Sequence, residues 1–170
     1  MACRVTSIIP FTACALKQCL YDPITGVILS TWKQPVNTVK LVGKVESIRF
    51  IDGIEIIMVN DTSGTIAVLY YIPTSTPDDA NVDLCQFPST SNEETTARNS
   101  SLGIKENQYV AVYGTVCYME RPRGNPQTHF HIDAKHVQPI IDFNEVTFHM
   151  LDVIHTTLIG KAKLTDTVVM

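Results

Sequence analysis

His129 and His131 stand two residues apart, with His136 further along, and on an extended strand the first pair would share one face and could begin a metal site. The chain has no Cys-x-x-Cys and no His-Glu-x-x-His, and its other sulfur and acid ligands are scattered, so neither a metal nor any cofactor is expected. Cys117 could meet His129 across neighbouring strands as thiol and base. A cysteine alternating within a strand is far more often packing, and no nucleophile elbow, phosphate-binding loop or dinucleotide fingerprint accompanies it. No catalytic residue is assigned, and an enzyme is not expected. The other residues of interest are aromatics near cations. Tyr70 and Tyr71 adjoin on one predicted strand and Tyr118 precedes Met119 on another, while Lys40, Lys44, Arg49, Arg121 and Arg123 supply positive charge. An aromatic face can stack a planar base for ~1–3 kcal/mol, and cations beside it can track phosphates.

Composition limits what can hold these residues. A chain of 170 residues with 45% apolar and 18% charged residues is long enough for one ordinary domain with a true core, and too apolar for general disorder. Its net charge of -4 excludes a strongly basic nucleic-acid coat but not local basic strips. No apolar run approaches the length of a membrane helix, the N-terminus lacks the apolar stretch of a secretory signal, and no membrane partner is expected. Five scattered cysteines, an odd count, read as free thiols in a reducing compartment.

Residues 1–35 are mixed and read as an extension packing on the domain: a short extended piece at Ile8–Thr12, a brief helix over Ala13–Leu20 capped by Thr12, and an apolar stretch at Val27–Leu29 before Trp32. From Val36 the period becomes two. Val39, Leu41, Gly43 and Val45 alternate with polar neighbours, a half-buried strand with a glycine where it must bend. Asp52-Gly53 and Asn60–Gly64 are turns around predicted strands at Ile54–Val59 and Thr65–Ile72. Residues 73–103 form a polar insert rich in proline, serine, threonine and acid. Strands at Asn107–Glu120 and Gln127–Val137 follow, joined by a basic turn at Arg121–Pro126. Five strands with this spacing predict an all-β domain over residues 36–140, a five-stranded Greek-key OB-fold barrel with a C-terminal helix. In that helix, residues 141–160, Asp142 and Glu145 resemble a capping box. Phe143, Val146, Met150, Val153, Ile154 and Leu158 recur at helical spacing, Phe148 and Leu151 widen the stripe, and Gly160 is expected to end it before a tail at 161–170.

Asn144-Glu145-Val146-Thr147-Phe148-His149-Met150-Leu151-Asp152-Val153-Ile154 resembles the helix of the middle subunit of eukaryotic replication protein A, which reads Asn-Glu-apolar-Thr-x-His-apolar-Leu-acidic-Val-Ile. Ile9-Pro10-Phe11-Thr12 resembles that family's Val-Pro-Cys-Thr, Val39–Val45 its first strand, Asn60–Gly64 its Asp-Asp-Met/Thr turn, and Tyr109–Gly114 its Tyr-Val-x-Val-x-Gly strand. The match covers roughly residues 8–160 and leaves 76–103 unmatched. The resemblance implies a nuclear, single-stranded-DNA-binding subunit of a heterotrimer used in DNA replication, repair or telomere maintenance. Its partners would be single-stranded DNA and the large and small OB-fold subunits. Tyr71 falls where the family carries a stacking tryptophan, and Met119, beside Tyr118, aligns with its second stacking aromatic. Arg121 and Arg123 are the expected phosphate contacts on the closing loop, with Lys40 and Lys44 as further candidates. Phe143, Val146, Met150, Val153, Ile154 and Leu158 would face the partner helices in a bundle. The family's Ser/Thr-Gly-rich N-terminal tail and its C-terminal winged helix have no counterpart between Met1 and Met170. A telomere-specific subunit, like the Stn subunit of the CST complex and associated with telomerase or polymerase α, shares this plan. So does a purely structural scaffold that touches little DNA.

Overall fold

The computed structural model describes residues 7–72, 100–119 and 130–167, with side chains through residue 163. The expected turn at Arg121–Pro126, His129 and most of the polar insert lie outside these residues. The chain order is β1 (Ile9–Pro10), α1 (Ala13–Lys17), β2 (Leu20–Asp22), β3 (Val27–Leu29), β4 (Thr38–Ile51), β5 (Ile54–Asn60), β6 (Thr65–Tyr71), β7 (Tyr109–Tyr118), β8 (Phe130–Pro139) and α2 (Asn144–Thr167).

The 14-residue β4 is the strand that closes the barrel. Its first half, Thr38–Lys44, pairs antiparallel with β7, and its second half, Lys44–Ile51, pairs antiparallel with β5. Beside the change of partner at Lys44 lie Gly43, where a side chain would strike the Asn60 backbone at 2.7–2.9 Å, and an irregularity between Val45 and Ser47. A bent strand shared by two neighbours is what glycine and a bulge allow. From β5 the sheet runs to β6, then by a parallel pairing to β8, then antiparallel to β7 and back to β4. This is the five-stranded OB-fold barrel expected from the sequence, with the β2–β3 hairpin outside it as a separate small sheet.

Inward residues of all five strands, among them Leu41, Val45, Ile57, Val59, Ile66, Val68, Val112 and Ile132, are fully buried. Glu55 also points inward and is fully buried. Its carboxylate accepts from the Ser100 hydroxyl, the Ser101 hydroxyl and the Ser101 N–H, so the returning end of the insert is seated on the barrel at Ser100 rather than solvated. A buried carboxylate persists only when hydrogen-bonded in this way.

One end of the barrel is plugged by the N-terminal segment. A five-residue helix is too short to be stable alone. Here the side chains of Asp61 and Ser63, on the β5–β6 turn, accept the Ala13 and Cys14 N–H groups at 2.7 and 3.0 Å, and Thr12 accepts Ala15 N–H at 3.2 Å. Capping of this kind is worth ~0.5–2 kcal/mol, and burial of Phe11 and Leu16 adds ~1.5–3 kcal/mol each. Phe11 stacks on Trp32, with ring centroids 5.5 Å apart.

Helix α2 runs 24 residues and does not stop at Gly160. Glycine usually marks a helix end, but here it marks contact: a Cβ at Gly160 would sit 2.5–2.7 Å from atoms of the Trp32 indole. The ring fills the space a side chain would take. Gly160→Ala should therefore destabilise the chain by ~1–3 kcal/mol through overpacking, despite gaining ~1 kcal/mol of helix propensity. Chemical denaturation checks this, and unchanged or raised stability would show that α2 is not seated on Trp32.

Candidate nucleic-acid groove and helix face

Strand alternation fixes what the outer barrel wall displays. On β5 and β6 the outward residues pair as Ile54 with Tyr71, Ile56 with Leu69, Met58 with Ala67 and Asn60 with Thr65. All but Tyr71 are half-buried, so the floor is apolar, and Tyr71 lies on it with 53% of its surface exposed. Ile51, also exposed, lies across from Ile54, and exposed Arg49 across from Ile56. The result is an apolar strip ending in an aromatic face and flanked by a guanidinium. That arrangement can stack a base and hold a phosphate. A groove across the second and third barrel strands, here β5 and β6, is expected from the sequence, but the apolar residues of its floor are not singled out there. Its signal was present in Ile54, Ile56 and Met58, which make β5 apolar on both faces.

The other expected contacts scatter. Tyr70 points inward and packs on the core. Tyr118 also turns inward, opposite Phe130, and its ring is stacked by Tyr21 at 4.2 Å and 9°. Alternation thus removes Tyr118 from the outer wall and leaves its exposed neighbour Met119 there. Lys40 lies on the opposite side of the barrel, its ammonium 5.7 Å from the Tyr113 ring centroid and close enough to α2 to act on His149. Lys44 is exposed where β4 changes partners and lines a cavity of about 390 Å³ with Glu46, Asn60, Asn107 and Tyr109. Lys40 therefore does not join Tyr71 in one groove, and Lys44 reaches only its end. Arg121 and Arg123 lie outside the described residues.

Cys117 pairs across the strands with His131, while His129 lies outside the described residues. Burial first, then the hydrogen bond to and charge of Asp133, push its thiol up to about 11. A neutral thiol at physiological pH is a poor nucleophile.

Helix α2 presents apolar residues on two sides. His149 and Val153 are 1% and 9% exposed, Val146 is half-buried against Val42, Ala111 and Ile140, and Gly160 rests on Trp32. These residues face the chain's own barrel. Two of the six positions expected to meet a partner, Val146 and Val153, are therefore turned inward. Phe143, Met150, Ile154 and Leu158 are exposed, and Phe148, Leu151 and Ile159 join them on the outside. Periodicity could not choose between the two sides because both are apolar. Asp142 accepts the Asn144 N–H at 2.9 Å and starts the helix.

The buried anchor of α2 is His149, whose Nε2 lies 3.3 Å from the Phe11 carbonyl oxygen while Nδ1 has no partner among the described residues. Burial, with the Lys40 charge, lowers its pKa below the ordinary 6.5, against opposing pulls from the Phe11 carbonyl, Asp61 and Asp152. The ring is therefore neutral in the folded chain. As pH falls below about 6.5 the unfolded chain takes up the proton first. The stability due to His149 is complete above that pH and is lost toward the lower folded-state pKa, then levels. His149→Gln should flatten this part of the stability-against-pH curve, measured by denaturation at stepped pH. An identical slope in both proteins would place the acid sensitivity elsewhere.

A closed five-stranded barrel with an outward apolar floor and a doubly apolar C-terminal helix defines the class: an OB-fold with a C-terminal helix. Solved structures share it over nearly their whole length. A chain of a replication protein A heterotrimer bound to single-stranded DNA matches with a TM-score of 0.66 at 21% identity, covering 91% of this chain and 98% of that one. A chain of the Stn1–Ten1 complex of S. pombe matches with a TM-score of 0.68 at 13% identity, covering 95% and 99%. A chain of yeast replication protein A bound to single-stranded DNA matches at 0.56 and 22% identity, covering 91% and 92%. No family model and no curated protein matches the sequence. The replication protein A resemblance drawn from the sequence thus extends to the fold.

Proposed function

We propose that this chain is the middle-type subunit of a replication protein A-like heterotrimer, holding single-stranded DNA on the outer wall of β5 and β6 and joining a large and a small OB-fold partner through α2. One observation carries the reading: one side of α2 is seated on its own barrel while Phe148, Leu151, Ile154 and Leu158 lie uncovered on the other. Such a surface needs other helices to bury it. The similar chains come from multi-subunit assemblies, two of them bound to single-stranded DNA, which supports both halves of the proposal. The mechanism is binding, not catalysis: Tyr71 stacks a base, the apolar floor packs beneath it, and Arg49, Arg121 and Arg123 pair with phosphates. With a net charge of -4 the chain supplies modest affinity by itself, and its partners supply the remainder. Its place is the nucleus.

A telomere assembly is the second reading, favoured by the equally complete match to the Stn1–Ten1 chain. There the small partner would be Ten1-like, with telomerase or polymerase α machinery as further partners.

Fluorescence anisotropy with oligothymidine, on the assembled complex at several salt concentrations, tests the DNA contact. Tyr71→Ala should cost ~1–3 kcal/mol, roughly 5- to 150-fold in affinity. Replacing Arg121 and Arg123 together by Ala should lower the salt slope by about one per lost phosphate contact. Unchanged affinity and slope in the triple variant would make the chain a scaffold that does not touch DNA.

A further inference from the structure

The outward face of β7 and β8 carries a cluster that neither the apolar floor nor the helix face uses. Register places Cys117 directly opposite His131, and Asp133 follows two residues later on the same side. One ligand atom from each, Cys117 Sγ, a His131 ring nitrogen and an Asp133 oxygen, lie within 4.8 Å of one another. The carboxylate is the hub: Oδ2 accepts from Cys117 Sγ at 3.3 Å, and Oδ1 stands 3.3 Å from His131 Nε2. Oδ1 is nevertheless buried and takes no hydrogen bond among the described residues, an arrangement that is costly for a carboxylate. The His131 and Asp133 side chains are 13% and 29% exposed, so the cluster is enclosed yet reachable from solvent.

We propose that Cys117, His131 and Asp133 form a binding site for a borderline divalent cation, zinc foremost. The donor set argues for it. Magnesium and calcium take oxygen ligands, whereas thiolate, imidazole and carboxylate together suit zinc. Zinc bonds of ~2.0–2.3 Å at tetrahedral angles put neighbouring ligand atoms roughly 3.3–3.6 Å apart. The sulfur–oxygen and nitrogen–oxygen edges are already 3.3 Å. The sulfur–nitrogen edge is no more than 4.8 Å and closes by small side-chain rotations. Three protein ligands leave the fourth position to water, as in open zinc sites. On binding, the Cys117 S–H bond breaks and its proton goes to solvent, the sulfur–metal bond forms, and the ion sheds hydration waters for its protein ligands. The ion would tie β7 to β8 and offset the Asp133 charge on the outer wall. This site stands apart from the DNA reading, and either can fail without the other.

Cobalt(II) is the probe, titrated into the chelator-treated full chain under reducing conditions. One equivalent should give a thiolate-to-cobalt charge-transfer band in the near ultraviolet with the strong visible bands of tetrahedral coordination, and one equivalent of zinc should displace it. Cys117→Ser should abolish the thiolate band while Cys14→Ser keeps it. Asp133→Asn, which preserves side-chain volume, and His131→Ala should each weaken cobalt binding by at least ~10-fold. No thiolate band at one equivalent in the unmodified chain, a band that survives Cys117→Ser, or undiminished affinity in a folded Asp133→Asn protein would each overturn the proposal.

Discussion

The structure depends on Phe11 and Trp32 being held face to face between the barrel and the C-terminal helix. Phe11 donates its N–H to the Lys40 carbonyl on β4 at 3.0 Å, its own carbonyl lies 3.3 Å from His149 Nε2, and its ring stacks on Trp32. Trp32 in turn fills the side-chain space that Gly160 leaves open. The contacts from α2 fix the helix at two points, 11 residues apart in sequence and so about 16 Å along the helix at 1.5 Å per residue. With both points fixed, the rotation of α2 about its axis is set. That rotation decides which apolar residues are spent on the barrel and which remain for another molecule.

The barrel was legible from alternation and turns alone, because inward residues such as Leu41, Ile57 and Val68 sit at period two with Asp52-Gly53 and Asn60–Gly64 between them. The rest was hidden for identifiable reasons. Gly160 reads as a helix stop, and only the Trp32 ring beside it explains a helix that continues. The two apolar sides of α2 are equivalent to any periodicity, so Val146 and Val153 could not be separated from Leu151 and Ile154. The pairing of Cys117 with His131 depends on the β7–β8 register, which the sequence does not reveal. Lys40 alternates correctly, but nothing local says that its face of β4 belongs to α2.

The two outward surfaces ask for different partners. The wall of β5 and β6 is a shallow apolar floor with one exposed aromatic at its edge, suited to a flexible chain of flat rings. The outer side of α2 is a long stripe of branched and aromatic side chains, suited to other helices. In the proposed function, a chain of net charge -4 with a limited set of cations contributes to a larger DNA-binding surface and binds weakly by itself. On the proposed reading assembly is the more basic of the two, since the DNA contact would gain its strength through it.

The most direct test is the native mass and subunit composition of the complex purified through a tag on this chain, compared with a variant carrying Leu151→Asp, Ile154→Asp and Leu158→Asp. The account predicts one copy of this chain with one larger and one smaller OB-fold subunit, and loss of both from a variant whose barrel remains folded. A lone monomer from the unmodified chain, or a complex that survives the three substitutions, would contradict it.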